Sequence, residues 1–348
     1  MNELLSASIL VVGLAALGLF LSLSYLAERE RALKVLVLLA LLAADLLALP
    51  VGLVYLLLPV VPGLDALTAE SLTASGLDGG AIVPRLPWFG GLSLAVGALG
   101  LLILTPFTRR VIARLLPIDP ERVVHVTALH YALFLTGLSL TLPVFMPALD
   151  EEGLRDLADA ASRGGLGLLW AQALGFVVLG ALGVGLVVTR DHRAVAERLG
   201  LTRRIDVRWW LGGTIAALAS SLVVDALWGV VASDSLQEVR RLSEALFQPY
   251  LEAGLLGALT IGLSAGIGEE ILFRGAAQPR LGLVFTSLLF AVVHTQYTIS
   301  PALVQVFVVG LILGLARRRV NTTTAIGVHA TYNLILALLM VYAPDLAP

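Results

Sequence analysis

The 348-residue chain contains no cysteine. Disulfides, thiolate metal sites, thiol catalysis and S-acylation are therefore excluded, and the redox compartment is unreadable. Charge is scarce as well. Asp, Glu, Lys and Arg make up 14% of the residues, against about a quarter in a soluble domain. A net charge of −2 gives no footing for a nucleic-acid partner, which needs clustered positive charge. Lysine is almost missing: Lys34 stands alone against 22 arginines, a bias that reads as a GC-rich, bacterial genome. The N-terminus, Met1-Asn2-Glu3, lacks the basic stretch of a cleaved signal peptide, so the apolar run behind it reads as a retained first span. What the chain has in excess is apolar sequence, with 58% hydrophobic residues and a mean hydropathy of +0.93. A water-soluble fold is excluded, and the lipid bilayer is the expected partner.

Apolar runs between charged breaks predict an all-α, polytopic integral membrane protein of about 8–10 transmembrane helices. The runs fall at Leu4–Ala27, Leu33–Val60, Leu86–Phe107, Val126–Met146, Leu166–Thr189, Trp209–Ser233, Tyr250–Pro279, Gly282–Ser300, Pro301–Ala316 and Thr323–Tyr342. They are continuous in Leu, Ala, Gly and Val rather than alternating, which excludes a β-barrel.

Sixteen of the 23 Lys and Arg residues sit in one set of alternate loops: Arg29 to Lys34, Arg109 to Arg122, Arg190 to Arg208, and Arg317 to Arg319. Five sit in the opposite set: Arg85, Arg155, Arg163, Arg240 and Arg241. The positive-inside rule places the first set in the cytoplasm and both termini outside, as in a bacterial cytoplasmic membrane. Asp234–Phe247 alternates charged and apolar residues at helical spacing and is expected on the outer surface. The charged stretch Arg190–Arg208 is the natural seam. It separates N-terminal helices, residues 1–205, from a C-terminal region, residues 206–348, whose motifs lie in about 250–340.

Ionisable groups inside spans are costly and are functional candidates by default. Asp45, Asp225, His125 and His130 have no evident partner in sequence and read as helix–helix hydrogen bonds or interfacial positions. His192, in a basic loop, reads as solvated. The C-terminal region differs, because three polar clusters follow one another there: Gly268-Glu269-Glu270-Ile271-Leu272-Phe273-Arg274-Gly275, then Phe290-Ala291-Val292-Val293-His294, then His329-Ala330-Thr331-Tyr332-Asn333. Thr322–Thr324 reads as the N-cap of the last helix. Glu270 and Arg274 are four apart with the acid first, the favourable order for a helical ion pair. Glu269 is rotated about 100° from Glu270 and keeps a free carboxyl, the profile of a general base. His329 and Asn333, also four apart, project from one face. The glycines Gly262, Gly266, Gly268 and Gly275 fit either close helix packing or a local opening for substrate.

Depth supports a single site. Counting from Arg280, Glu269 lies roughly 16 Å into the bilayer and His294 roughly 18 Å; from Arg317–Arg319, His329 lies roughly 15 Å deep. Three segments thus bring Glu269, His294 and His329 to one level. Glu269, Glu270 and Arg274 alone fit a static ion-pair network equally well, and it is the histidines at matching depth that favour chemistry.

These motifs resemble those of the CPBP (Abi) family of intramembrane proteases, which includes the type II CAAX prenyl endopeptidases and bacteriocin-processing or immunity proteins. The family pattern EExxxR, FxxxH, HxxxN/D reads here as Glu269, Glu270 and Arg274; Phe290 and His294; His329 and Asn333. The likeness covers roughly Tyr250 to Met340. It implies peptide hydrolysis at a cavity open toward the cytoplasm. Glu269 and His294 would deprotonate the attacking water, and His329 and Asn333 would form the oxyanion hole. Glu270 and Arg274 would orient the site, with Phe290 beside His294. No cofactor is favoured. Zn²⁺ is the alternative, held by Glu269, His294 and His329 with Glu270 as base, but an HExxH helix is absent. The expected substrate is a membrane-associated peptide or protein; its identity and the oligomeric state are not legible. Two other classes compete: a non-catalytic scaffold or immunity member of the same family, and a secondary transporter. The latter would line both halves with polar residues, and here they concentrate in one.

Overall fold

A helix is the only way to carry so many apolar residues through lipid with every backbone group satisfied within its own segment. The computed structural model describes residues 2–75, 78–145, 151–231, 233–294 and 300–343, and among them every named element is helical. Eight helices among the described residues are long and apolar enough to cross a bilayer: Ala7–Leu26, Arg31–Val60, Gly79–Leu104, Val123–Leu142, Ala161–Gly183, Val207–Val231, Leu255–Leu281 and Thr322–Tyr342. Their outward faces remain apolar: Leu47 and Ile215 are each 65% exposed and Val230 is 87% exposed. Water would not tolerate such a belt, whereas hydrocarbon does. The protein is an all-α, polytopic integral membrane protein.

The helices used below are α1 (Asn2–Leu26), α2 (Arg31–Leu57), α3 (Leu86–Leu104), α4 (Val123–Phe145), α5 (Glu151–Gly183), α6 (His192–Leu199), α7 (Val207–Val231), α8 (Ser233–Leu251), α9 (Leu255–Glu269), α10 (Leu283–Val292), α11 (Pro301–Arg319) and α12 (Thr322–Tyr342). Of the two sequence-predicted spans on either side of Ser300, the first proves short, while the second runs on to Arg319 as α11. In place of Gly282–Ser300 stands α10, ten residues long, which covers about 15 Å, half a hydrocarbon core. Residues 295–299 lie outside the described residues, as do Met146 and residues 147–150 of the neighbouring loop. The run Tyr250–Pro279 is divided: α8 ends at Leu251, and α9 passes into a π-helical turn, Glu270–Ala277. The last helix is capped one residue earlier than expected. Asn321, not a threonine, accepts the Thr324 backbone N–H at 2.7 Å, because an extended Asn at the cap places its side-chain oxygen over the first turn.

Packing around α9 depends on its glycines. A Cβ at Gly262 would stand 2.7 Å from the Ala330 carbonyl oxygen, one at Gly266 2.9 Å from Ala330 Cβ, and one at Gly268 2.7 Å from Ala173 Cα. Gly262, Gly266 and Gly268, which the sequence left between two roles, therefore serve close packing of α9 against α12 and α5, while Gly275 packs against Leu199 of α6. Elsewhere, Asp45 of α2 and His130 of α4 meet with Oδ2 and Nε2 3.1 Å apart, both side chains fully buried. These two residues are a helix–helix link, as read. At the arginine-rich ends of the helices, Arg280 donates to the Gly183 carbonyl and to the Tyr25 hydroxyl. This ties the turn at Gly282 to α1 and α5.

Candidate active site

Glu269 and Glu270 straddle the change from α-helix to π-helix, a wide turn found mostly at functional sites. It sends two adjacent carboxylates into different surroundings. Glu270 points inward and is fully buried, with Oε2 3.3 Å from Arg274 Nε, itself fully buried. The carbonyls of this segment are bound from outside: Arg317 Nε donates to Arg274 O at 3.3 Å, and an Arg198 guanidinium nitrogen donates to Gly275 O at 3.0 Å. Burial, then the charge of Arg280, lowers the Arg198 pKa to about 10.

The third motif reaches the same place. His329 of α12 stands with Nδ1 3.0 Å from Glu270 Oε1. Since a carboxylate can only accept, Nδ1 carries the proton and Nε2 is left facing elsewhere. The second motif closes the group. His294, two residues beyond α10, directs Nδ1 at Phe290 O, 2.7 Å away, which orients Nε2 toward Glu269 Oε2 at 3.8 Å. Phe290 is the common floor. Its ring centre lies 4.7 Å from that of His294, 5.9 Å from that of His329 and 4.5 Å from Arg274 Cζ. The last contact is a cation–π arrangement.

Glu269, Phe290, His294, His329 and Asn333 all line one cavity of about 580 Å³. The sequence-predicted residues are thus brought together, Glu270 and Arg274 behind the cavity wall and the rest on it. Glu269, His294 and His329 meet at one cavity, with His329 in contact with Glu270. Among the described residues, no three His, Asp or Glu side chains stand close enough to hold a metal ion.

From Glu269 the cavity extends away from the arginine-rich helix ends, between α5, α7, α8, α11 and α12, to Asp225 and Arg240. Asp225, read as a helix–helix hydrogen bond or an interfacial position, bonds Arg240 through both carboxylate oxygens, at 3.1 and 2.9 Å. Sequence reasoning passed over one element of the wall. Ser221 of α7 and Tyr332 of α12 join hydroxyls at 2.7 Å, and the Gln305 amide of α11 stands 2.8 Å from Ser221 Oγ. The available signal was a glutamine and a Ser-Ser pair inside otherwise apolar helices.

Residues 251–335 match a family model described as "Type II CAAX prenyl endopeptidase Rce1-like". An Escherichia coli protein described as "Uncharacterized 24.3 kDa protein" is 41% identical over 143 residues, which are 38% of this chain and 63% of that protein. The chain therefore spans less than two thirds of that relative's length. No solved structure matches. Matched residues and geometry coincide, since every motif residue from Glu269 to Asn333 falls inside the matched segment. Residues 251–335 are thus similar to the type II CAAX prenyl endopeptidase Rce1-like family, which supports the likeness to the CAAX protease (CPBP) group that the three motifs carry.

Proposed function

We propose that this protein is an intramembrane endopeptidase that cleaves a membrane-associated polypeptide with a water molecule activated by Glu269 and His294. The observation that carries this reading is the 3.8 Å separation of Glu269 Oε2 and His294 Nε2 on the cavity wall. It is too long for a direct hydrogen bond and suits two groups that share one bridging water. Glu269 Oε2 has no hydrogen-bond partner among the described residues, so it is free to take a proton. Glu269 then returns that proton to the departing amine.

The tetrahedral oxyanion needs preorganised donors, each worth about 3–4 kcal/mol in acyl transfer. His329 Nε2–H and the Asn333 amide fill that role in this reading. For His329 to donate from Nε2 while Nδ1–H is held by Glu270, the ring must be an imidazolium, and Glu269 and Glu270 together balance its charge and that of Arg274. Arg274 holds Glu270 in turn, which makes that carboxylate an orienting group rather than a base.

In this reading no metal takes part: Nδ1 of each histidine faces a protein oxygen, and the two Nε2 atoms are left for the water and for the oxyanion. The test is turnover of a quenched fluorescent peptide mixture by purified protein, with metal content measured on the same sample. Cleavage lost in Glu269→Gln, together with substoichiometric zinc in the active wild type, supports the reading. Unchanged cleavage in Glu269→Gln would sink it. Stoichiometric zinc that cannot be stripped without loss of activity would overturn the metal-independent step.

A further inference from the structure

The direction of the cavity says from which side of the membrane the site is reached. On each helix that lines it, the lining residues lie at or beyond the catalytic level, away from the arginine-rich end. On α9 they run from Glu269 back to Ile261, on α12 from His329 forward to Met340, and on α7 from Ser221 to Trp228. Toward the arginine-rich end the molecule is closed. Glu270, Arg274, Leu313, Thr322 and Val328 are each fully buried, and Gln278 is 7% exposed. Toward the other end the walls are open: the side chains of Arg240 and Asp225, at the cavity's far end, are 46% and 25% exposed.

The arginine count fixes which face this is. Packing keeps the basic loops together, since Arg280, Arg190 and Tyr25 stack at one end and Arg122 meets Glu28 there. The open end carries only the minor share of cations, Arg240 and Arg241 among them.

We infer that polypeptide enters this cavity from the face opposite the arginine-rich loops, which the positive-inside rule makes the outer face. Taken with the peptidase reading above, the clients are exported or membrane-anchored polypeptides that present a segment on that side, not the tails of cytosolic proteins. The walls suit such a segment. Trp228, Phe247 and Met340 offer apolar surface, while Arg240, Glu244 and Gln248 at the rim offer hydrogen bonds to an extended backbone.

The absence of native cysteine makes the test direct. Single cysteines are introduced at Ser243→Cys on the rim, Ala265→Cys deep in the wall, and Thr202→Cys in an arginine-rich loop. A charged thiosulfonate that cannot cross membranes is added to intact bacterial cells and to permeabilised ones. Labelling of Ser243→Cys and Ala265→Cys in intact cells, with Thr202→Cys reacting only after permeabilisation, is the expected pattern. The reverse pattern overturns the assigned face. Ala265→Cys left unreactive in both preparations, in a chain that purifies as wild type, overturns the passage. Leu336→Cys, on the α12 wall, replaces Ala265→Cys if that variant fails to accumulate. The labelling needs no catalysis. A cavity labelled from outside in a protein that cleaves nothing would therefore keep this inference and sink the peptidase reading.

Discussion

His329 Nδ1 stands 3.0 Å from Glu270 Oε1, across 59 residues of chain, with the Glu270 side chain fully buried. The second oxygen of the same carboxylate faces Arg274 at 3.3 Å. Glu270 is therefore the point at which the first and third motifs are joined. Arg274 has no hydrogen-bond partner for its side-chain nitrogens among the described residues, so its charge rests on Glu270 and on the Phe290 ring. Glu270→Gln leaves that charge uncompensated. Breaking a buried pair from one side costs about 3–5 kcal/mol, and the expected result is a marked fall in thermal stability in detergent. A variant as stable as wild type would show that Glu270 does not anchor Arg274.

Glu269, the adjacent residue, should behave in the opposite way. It lines the cavity and is ion-paired with nothing nearer than His294 at 3.8 Å, so Glu269→Gln should melt close to wild type. Peptide cleavage, in contrast, should fall by about 10²–10⁴, the usual worth of a general base. His294→Gln should do the same, and the double variant should lose little more than either single one, since the two residues act on one water. Additive losses measured as kcat would mean that they serve separate steps.

The contrast between these neighbours was legible in the sequence, and so was the helical frame. Glu270 and Arg274 at i, i+4 announce a pair, and a carboxylate one residue earlier must face elsewhere. The convergence of His294 and His329 followed from counting residues up from Arg280 and Arg317. Other features were beyond reach. Nothing in the run Ile267–Ala277 specifies a π turn, and the arginines that bind two of its carbonyls, Arg198 and Arg317, come from the distant α6 and α11. The Asn321 cap was missed because three threonines beside it are equally good cap residues by type. The direction of the cavity was not legible because it depends on how α8 packs, chiefly against α5, and an amphipathic helix alone does not say what its apolar face covers.

Asp45 and His130 test whether a buried polar pair remote from the cavity is structural only. Their side chains are fully buried, 3.1 Å apart, and Gly100 leaves room for the carboxylate: a Cβ there would fall 2.0 Å from Asp45 Oδ1. His130→Ala strands the carboxylate and should cost about 3–5 kcal/mol. Adding Asp45→Ala should return part of that loss, because the stranded group is gone, and a double-mutant cycle of thermal stabilities reads the coupling. The kcat of whatever fraction stays folded should match wild type. A fall in kcat without a fall in stability would give this pair a part in the chemistry.

Gly266 connects packing to catalysis. An alanine Cβ there would lie 2.9 Å from both Ala330 N and Ala330 Cβ, inside any relaxed contact. Ala330 is the residue after His329, and Gly266 lies one helical turn before Glu269 and Glu270. Gly266→Ala therefore pushes apart the two helices whose spacing sets the 3.0 Å contact between His329 and Glu270. Overpacking of this kind costs about 1–3 kcal/mol, and a misplacement of about 1 Å at reacting groups costs about 10²-fold in rate. The expected signature is a modest loss of thermal stability with a much larger loss of kcat. Ala330→Gly in the same chain removes the Cβ–Cβ contact and should restore part of both. If Gly266→Ala lowers stability yet leaves kcat at the wild-type value, the spacing of α9 and α12 is not what holds the site in its working geometry.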